Sequence, residues 1–496
     1  MKWILKTLFV LTLLISGHTA FGADKYVCNS GAGTMDGSTQ ANCYNNWFPN
    51  NSLSAGDTLY VCGTISTSST LFLQDAGTVS SYITIRGDCP NNPGELDGLN
   101  TSDPLLQLGT AGNAASFVDI RNLTIKNSHP TTGECITDSS LGAGGGFNKF
   151  TNLIVTDCGT YNILMQKPSP TVQDSLINYC NDDCIGGTTG ATDVTVKNNT
   201  FDHFSNGGTT GDAIFLNNGT PTSTVLIENN TIYWDDDDST KQGMIVGVAT
   251  GTMTIRNNDI ISRTGTLANH GITITAGTIV NVYGNYCYGM KACITHFADS
   301  SEGIDGTLNI YSNVANNSQY VTQINASIGA PIVNIYNNTG HSLGTRGIEA
   351  FGTGALTVSN NSVGMEASTT ALYVSATVGS FAGNANNYYT EGATTNIVQN
   401  FECGSVYNSV TLYKAGCTSV EQNSIASDPQ FTGMTSLIRD TSFRLGGTSP
   451  LRGAGTHLPG NLTDYLGRRF EYTPSIGAYE VGSRDFSNTR SFRLGL

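Results

Sequence analysis

The hydrophobic positions of this chain alternate with a period of two, in blocks that recur along most of its length. Runs such as VTVKNNTF around Asn199, VLIENNTI around Asn230 and MTIRNNDI around Asn258 read as strands, whose side chains point to opposite faces in turn. The block returns as VNVYGNYC around Asn285, LNIYSNVA around Asn313, VNIYNNTG around Asn338, LTVSNNSV around Asn361 and SFAGNANN around Asn384. Eight successive blocks place Asn at one position, with a mean period of roughly 26 residues. Looser versions precede them at Asn122, Asn152 and Asp174. A sharp corner between strands needs a residue near the left-handed region, which Asn tolerates best after Gly. Stacked corners also let side-chain amides hydrogen-bond along a ladder. Many of these Asn lie in N-x-T triplets, which corner chemistry explains without glycosylation.

A second column starts strands: Ile136, Ile163, Ile185, Ile214, Ile245, Ile272, Ile294, Ile324, Ile348 and Leu372. Each follows a short turn, as in DDCIGG, GDAIFL and RGIEAF. Ten aliphatics in register form an interior stack, and β-branched side chains suit a buried, pleated surface. Alternating strands such as the one carrying Val194 and Val196, or that of Ile335, run between the columns. The repeat lacks the many Leu of a leucine-rich repeat and the four strands per unit of a propeller. The expected fold class is all-β: a single right-handed parallel β-helix of about 12 coils, a rod roughly 60 Å long.

The ends break the pattern, as solenoid caps do. Lys2 and Lys6 flank the start of an apolar run, Thr7–Ser16, and Ala20 and Gly22 are small residues suited to cleavage. Residues 1–22 read as a signal peptide whose apolar part is too short to span a bilayer. Residues 23–425 are expected to form the β-helix with an N-terminal cap, and 426–496 a C-terminal capping segment. The mature chain is expected to be secreted, or periplasmic, and monomeric, without membrane insertion.

All twelve cysteines lie beyond the signal, and an even count there reads as disulfides. Neighbour spacing pairs Cys28 with Cys43, Cys62 with Cys89, Cys135 with Cys158, Cys180 with Cys184, Cys287 with Cys293, and Cys403 with Cys417. No Cys/His set has zinc spacing. The net charge is −15, and losing Lys2 and Lys6 takes it to −17. That disfavours nucleic acid, and it disfavours an acidic polysaccharide unless a cation mediates.

AGDTLYV (55–61) followed by YITIRG (82–87) is similar to the N-terminal coil of bacterial right-handed β-helix proteins of the pectate-lyase-like superfamily. DPQF, SPLRGAG and IGAYE resemble a C-terminal segment common in those proteins. The resemblance implies that a polysaccharide lies along the face of the strands bearing the isoleucine column. The positions two before that column are Glu134, Tyr161, Asp183, Asp212, Gly243, His270, Ala292, Thr322 and Arg346.

Seven carboxylates fall within three coils of this otherwise charge-poor chain: Asp182, Asp183, Asp212 and Asp235, Asp236, Asp237, Asp238. Two carboxylates can divide acid and base work in glycoside hydrolysis. Several can instead bind Ca²⁺, which takes six to eight oxygens and would serve a lyase; the Asp235–Asp238 run is the candidate set. Either group can also be plain turn chemistry or a solvated loop. Asp182-Asp183-Cys184-Ile185 resembles the D-D-C motif of polygalacturonases, which implies acid and base roles for Asp182 and Asp183. Asn269-His270-Gly271 resembles that family's G-H-G, making His270 a catalytic candidate. The family's N-T-D is missing, since Tyr161-Asn162 stands there, and Arg346-Gly347-Ile348-Glu349 poorly replaces R-I-K. His270 falls three coils past the Asp pair instead of one. Substrate contacts are expected from Tyr161, Lys241, Lys291, Arg346 and Glu349, with Phe215 able to stack on a sugar ring. His296 should point inward and pack in the core. The expected function is binding and cleavage of an extracellular polysaccharide, by a hydrolase or a Ca²⁺-assisted lyase. The alternative is a non-catalytic adhesin or structural glycan-binding protein.

Overall fold

The computed structural model describes residues 22–480, except 46, 48–52, 110–114, 139–144, 189, 204–210, 219–222, 236–240, 249, 265–266, 298–303, 327–330, 366–369, 391–396, 402, 433–442 and 459–461. The expected signal peptide thus lies outside the described residues, apart from Gly22, as do Asp236, Asp237 and Asp238.

Each coil lays one strand into each of three parallel sheets, here A, B and C. In one coil these strands are Thr195–Lys197, Thr200–Asp202 and Asp212–Asn218. The next coil repeats them as Ser223–Glu228, Thr231–Trp234 and Gln242–Val248. Among the described residues, sheet B holds 13 strands stacked in coil order, close to the dozen coils expected. Inward side chains pile directly on their counterparts. Val196, Ile227, Ile255, Val282 and Ile310 pair in succession in sheet A, and all are fully buried. Each such side chain contributes roughly 1.5–3 kcal/mol through burial.

Two members of the isoleucine column shift. Met244, not Ile245, pairs with Ile214 and Ile272, and Ile245 faces outward, half-buried. Thr322, not Ile324, pairs with Ile294 and Ile348. Period-two alternation offers two inward positions per strand, and both Thr322 and Ile324 are buried, so composition alone does not separate them. His296 is buried, as expected.

The corner between sheets A and B divides two jobs between adjacent residues. The left-handed residue is the one before the ladder Asn: Asn198, Asn229, Asn257, Gly284, Ser312, Asn337, Asn360 and Ala385 all have φ between 51° and 65°. The ladder residue itself is buried. Asn199, Asn230, Asn258, Asn285, Asn313, Asn338, Asn361 and Asn386 each donate from Nδ2 to the next, at 2.9–3.1 Å for the seven links. The eighth member is therefore Asn386, not Asn384; the Ala385 at the left-handed position hides the register. Asn122, Asn152 and Asp174 belong to the outer, left-handed column, where Asn152 donates to Asn122 at 2.8 Å and Asn198 to Asp174 at 3.0 Å. The inner ladder ends on Glu421, which is buried and accepts from Asn386 Nδ2 at 2.9 and 3.0 Å, from the Tyr388 hydroxyl at 2.9 Å and from Ser424. Burial pushes its carboxyl up to about 7.

All six expected cysteine pairs form, and no described cysteine is free. No described helix is long and apolar enough to cross a membrane. The short helix Val410–Gly416 and an antiparallel strand, Ser405–Tyr407, lie at the last coil. The chain then runs back along the side of the solenoid as a strap. Phe443, Tyr465 and Tyr479 pack on Tyr286 and Val314 of sheet B, and the Ala478 amide donates to Thr339 Oγ1 at 2.9 Å.

Candidate functional site on the outer face of sheet C

Sheet C carries the isoleucine column on its inner side. The residue two before the column member begins its strand at Tyr161, Asp183 and Asp212, and Tyr161 looks outward. Tyr161 shows the direction: its ring lies over Gly186, where a Cβ would stand 2.4 Å from the ring. The paired register runs Tyr161 to Asp183, Asp212 to Gln242, and His270 to Ala292 to Tyr320. Gln242 and Tyr320 therefore hold the positions expected of Gly243 and Thr322. Both corrections follow from the shifts at Met244 and Thr322.

Asp183 and Asp212 begin adjacent strands, about 4.8 Å apart along the axis. Each is only 7% exposed. Asp183 Oδ1 accepts the Asp212 backbone N–H at 2.8 Å, and Asp212 Oδ1 accepts that of Gln242 at 2.9 Å. Burial raises the Asp183 carboxyl to about 7, with the charge of half-buried Asp182 adding to the effect. Burial, then the charges of Asp183 and Asp182, raise Asp212 to about 8. Tyr161 is pushed up to about 12 by burial and by the neighbouring carboxylates. Glu134, on the other side of Tyr161, is also raised by burial. Disfavoured charge is thus concentrated at one place on the face.

His270 is not brought to this pair. It lies on the third strand after that of Asp183, roughly 14 Å along the axis. Burial, then Lys291, lowers its pKa to about 4, and neither ring nitrogen has a hydrogen-bond partner among the described residues. Its ring stands 5.3 Å from that of Phe297. Lys241 is buried just before the strand of Gln242, whereas Lys291 is exposed.

Arg346 and Glu349 meet each other further along the face. Arg346 Nη1 bonds Glu349 Oε1, and Gln323 Nε2 donates to Glu349 Oε2 at 2.9 Å. The Arg346 guanidinium lies 3.9 Å over the Tyr373 ring. Tyr373 in turn joins Phe351 and Phe401, with ring separations of 5.1 and 5.9 Å. The sequence reading missed this aromatic run. Its signal is the position one past the isoleucine column for Tyr373, and three past it for Phe351.

Asp235 stands off this face, at the end of a sheet B strand, with Asp202 and His203. The Arg263 guanidinium occupies the space between the carboxylates, at 2.8 Å from Asp202 and 3.1 Å from Asp235. Two carboxylates, one imidazole and an inserted cation do not fit Ca²⁺, which wants an all-oxygen shell.

Residues 108–285 match the family model described as the right-handed beta helix region. The chain is a right-handed parallel β-helix, as its pectate-lyase-like resemblance implied. Among solved structures it is similar to pectate lyase Pel9A, at 12% identity over 94% of this chain and 98% of that one, with a TM-score of 0.47. It is similar to a tailspike mutant of E. coli bacteriophage HK620 in complex with a pentasaccharide, at 12% identity over 81% and 70%, TM-score 0.43. A GH136 lacto-N-biosidase from Eubacterium ramulus aligns at 10% identity over 76% and 68%, TM-score 0.44. Likeness at this level bears on no activity. No curated protein matches the sequence.

Proposed function

We propose that this protein binds an extracellular polysaccharide along the outer face of sheet C and hydrolyses it at Asp183 and Asp212. The observation that carries this reading is the pair of adjacent, buried carboxyls raised to about 7 and about 8. Asp212, the more strongly raised, keeps its proton and gives it to the glycosidic oxygen as the bond breaks. Asp183 ionises first and attacks the anomeric carbon as that bond breaks, forming a glycosyl ester; water, giving its proton to Asp212, then cleaves the ester and restores both carboxyls. A strand spacing of about 4.8 Å is near the roughly 5–5.5 Å carboxyl separation of retaining enzymes. A Ca²⁺-assisted lyase finds less support, since the described part of its ligand set is engaged by Arg263. Six disulfides agree with folding in an oxidising compartment, and we take residues 1–22 as the export signal of a secreted or periplasmic monomer.

The test is reducing-end release from a panel of polysaccharides, with and without EDTA. Asp183→Asn and Asp212→Asn should each lower the rate by about 10²–10⁴-fold, and EDTA should leave it unchanged. Activity should rise with pH through about 7, as Asp183 ionises, and fall through about 8, as Asp212 loses its proton. Full activity in both variants would sink the assignment. One observation favours a second reading, a non-catalytic glycan-binding surface: each Asp spends one oxygen on the backbone of the next coil. In that case no glycan is cleaved, and the variants change stability alone.

A further inference from the structure

One glycine shapes the floor beside the carboxyl pair. Alternate residues of sheet C face outward, and Leu164, Gly186, Phe215 and Ile245 pair in succession to make one outward row. The row runs alongside Tyr161, Asp183 and Asp212, which pair or begin on the same strands. Its other members are apolar, and Gly186 leaves a slot between Leu164 and Phe215. The Tyr161 ring fills that slot: a Cβ on Gly186 would stand 2.4 Å from Cδ1 and Cε1 of the ring. Any larger residue at 186 must move the ring. Leu164 is buried, but Tyr161, Phe215 and Ile245 are half-buried and keep part of their surface open. From Gly186 to Ile245 the open strip spans two strand spacings, roughly 10 Å.

The chemistry of the strip limits what lies on it. An aromatic and aliphatic floor takes the C–H face of a pyranose, whose hydroxyls then reach the polar groups alongside. Those groups are acids. The charges that bear on Tyr161 are those of Asp183, Asp182 and Glu134. A uronate on the same floor would bring its own carboxylate among them and be repelled, whereas a neutral hexose carries no such charge.

We propose that Gly186 and Tyr161 form the specificity-determining subsite beside the carboxyl pair, a floor that selects neutral hexopyranose units over uronates. Tyr161 touches the sugar, and Gly186 acts through it by leaving room for the ring. The inference rests on the reading of sheet C as a polysaccharide-binding face.

The experiment is a double-mutant cycle of Tyr161→Ala and Gly186→Ala, read by calorimetry in the Asp183→Asn/Asp212→Asn chain, which keeps Asp182 and Glu134. The separate probes are cellohexaose, mannohexaose, N-acetylchitohexaose, hexagalacturonate and hexamannuronate. At least one neutral probe should bind, and more tightly than either uronate. Tyr161→Ala should weaken that binding about tenfold, and Tyr161→Phe should keep it. Gly186→Ala should weaken it to a similar extent, yet add nothing once Tyr161→Ala has removed the ring, a pattern that general loss of folding does not produce. With Asp183 and Asp212 restored, the same variants should raise KM and leave kcat within about twofold. No binding of a neutral probe, tighter binding of a uronate, additive losses in the cycle, or a fall in kcat at constant KM overturns the proposal. Binding that follows the expected pattern while the wild type cleaves no glycan sinks the hydrolase reading and leaves this floor standing.

Discussion

Asp183 and Asp212 carry carboxyls that the folded protein prefers to keep protonated. Their ordinary value is 3.8, and folding raises them to about 7 and about 8. The stability they contribute is therefore full below about pH 4 and is lost as pH rises through those values. Asp212→Asn removes that loss and keeps an Oδ1 to accept the Gln242 amide. The variant should melt at a higher temperature than the wild type at about pH 9 and at nearly the same temperature at about pH 4. Circular dichroism melts at the two pH values check this, and equal shifts at both would contradict it. The acidic residues themselves were readable, because charged residues are few in this chain and two Asp fall on the same strand-start position. Their protonation was only partly so: mutual repulsion was foreseeable, but the larger cause, burial, depends on neighbours that the sequence does not name.

The corner is the element on which the fold turns. Its ladder Asn are saturated: Asn258 Nδ2 donates to Asn285 and to the Ile227 carbonyl, while its Oδ1 accepts from the Asn230 backbone and side chain. Asn258→Ala should cost about 3 kcal/mol or more, since it strips partners from several buried groups at once. Asn257→Gly, one residue earlier at φ 57°, should cost less than about 1 kcal/mol, because Gly accepts that conformation freely. Thermal melts of the two variants side by side separate the roles, and equal losses would show that they are not divided. A repeat of Asn made the corner visible. Which Asn of each pair turns the chain and which forms the ladder was not visible, because both are polar and adjacent. The same ambiguity misplaced Ile245 and Ile324 in sheet C, where alternate residues compete for one register.

Across the whole molecule, coils touch only their neighbours, so stability and function are organised locally. The disulfides follow this rule, closing loops of 4 to 27 residues. Cys180–Cys184 closes the shortest and brackets Asp182 and Asp183. Closing so short a loop removes little chain entropy. Replacing both cysteines with Ala, which buries no hydroxyl in this core, should therefore lower the melting temperature little while reducing glycan cleavage by about tenfold or more, through loosening of the acidic strand start. Unchanged cleavage on the preferred polysaccharide would show that the bridge does not position Asp183.

The parallel solenoid, its corner and its six cysteine pairs were legible in the order of residues, because they are set by neighbours one coil away and recur. A local rule repeated eight times leaves a trace that composition cannot hide. The alignment of side chains across coils was legible only within a residue or two, which is the difference between Gly243 and Gln242 at the candidate site. Folding alone set Arg263 between Asp202 and Asp235, closed Glu349 under Arg346, and laid the strap over Asn337. These contacts join residues with no shared period, and several join segments far apart in the chain. Their partners are chosen by packing and charge in three dimensions.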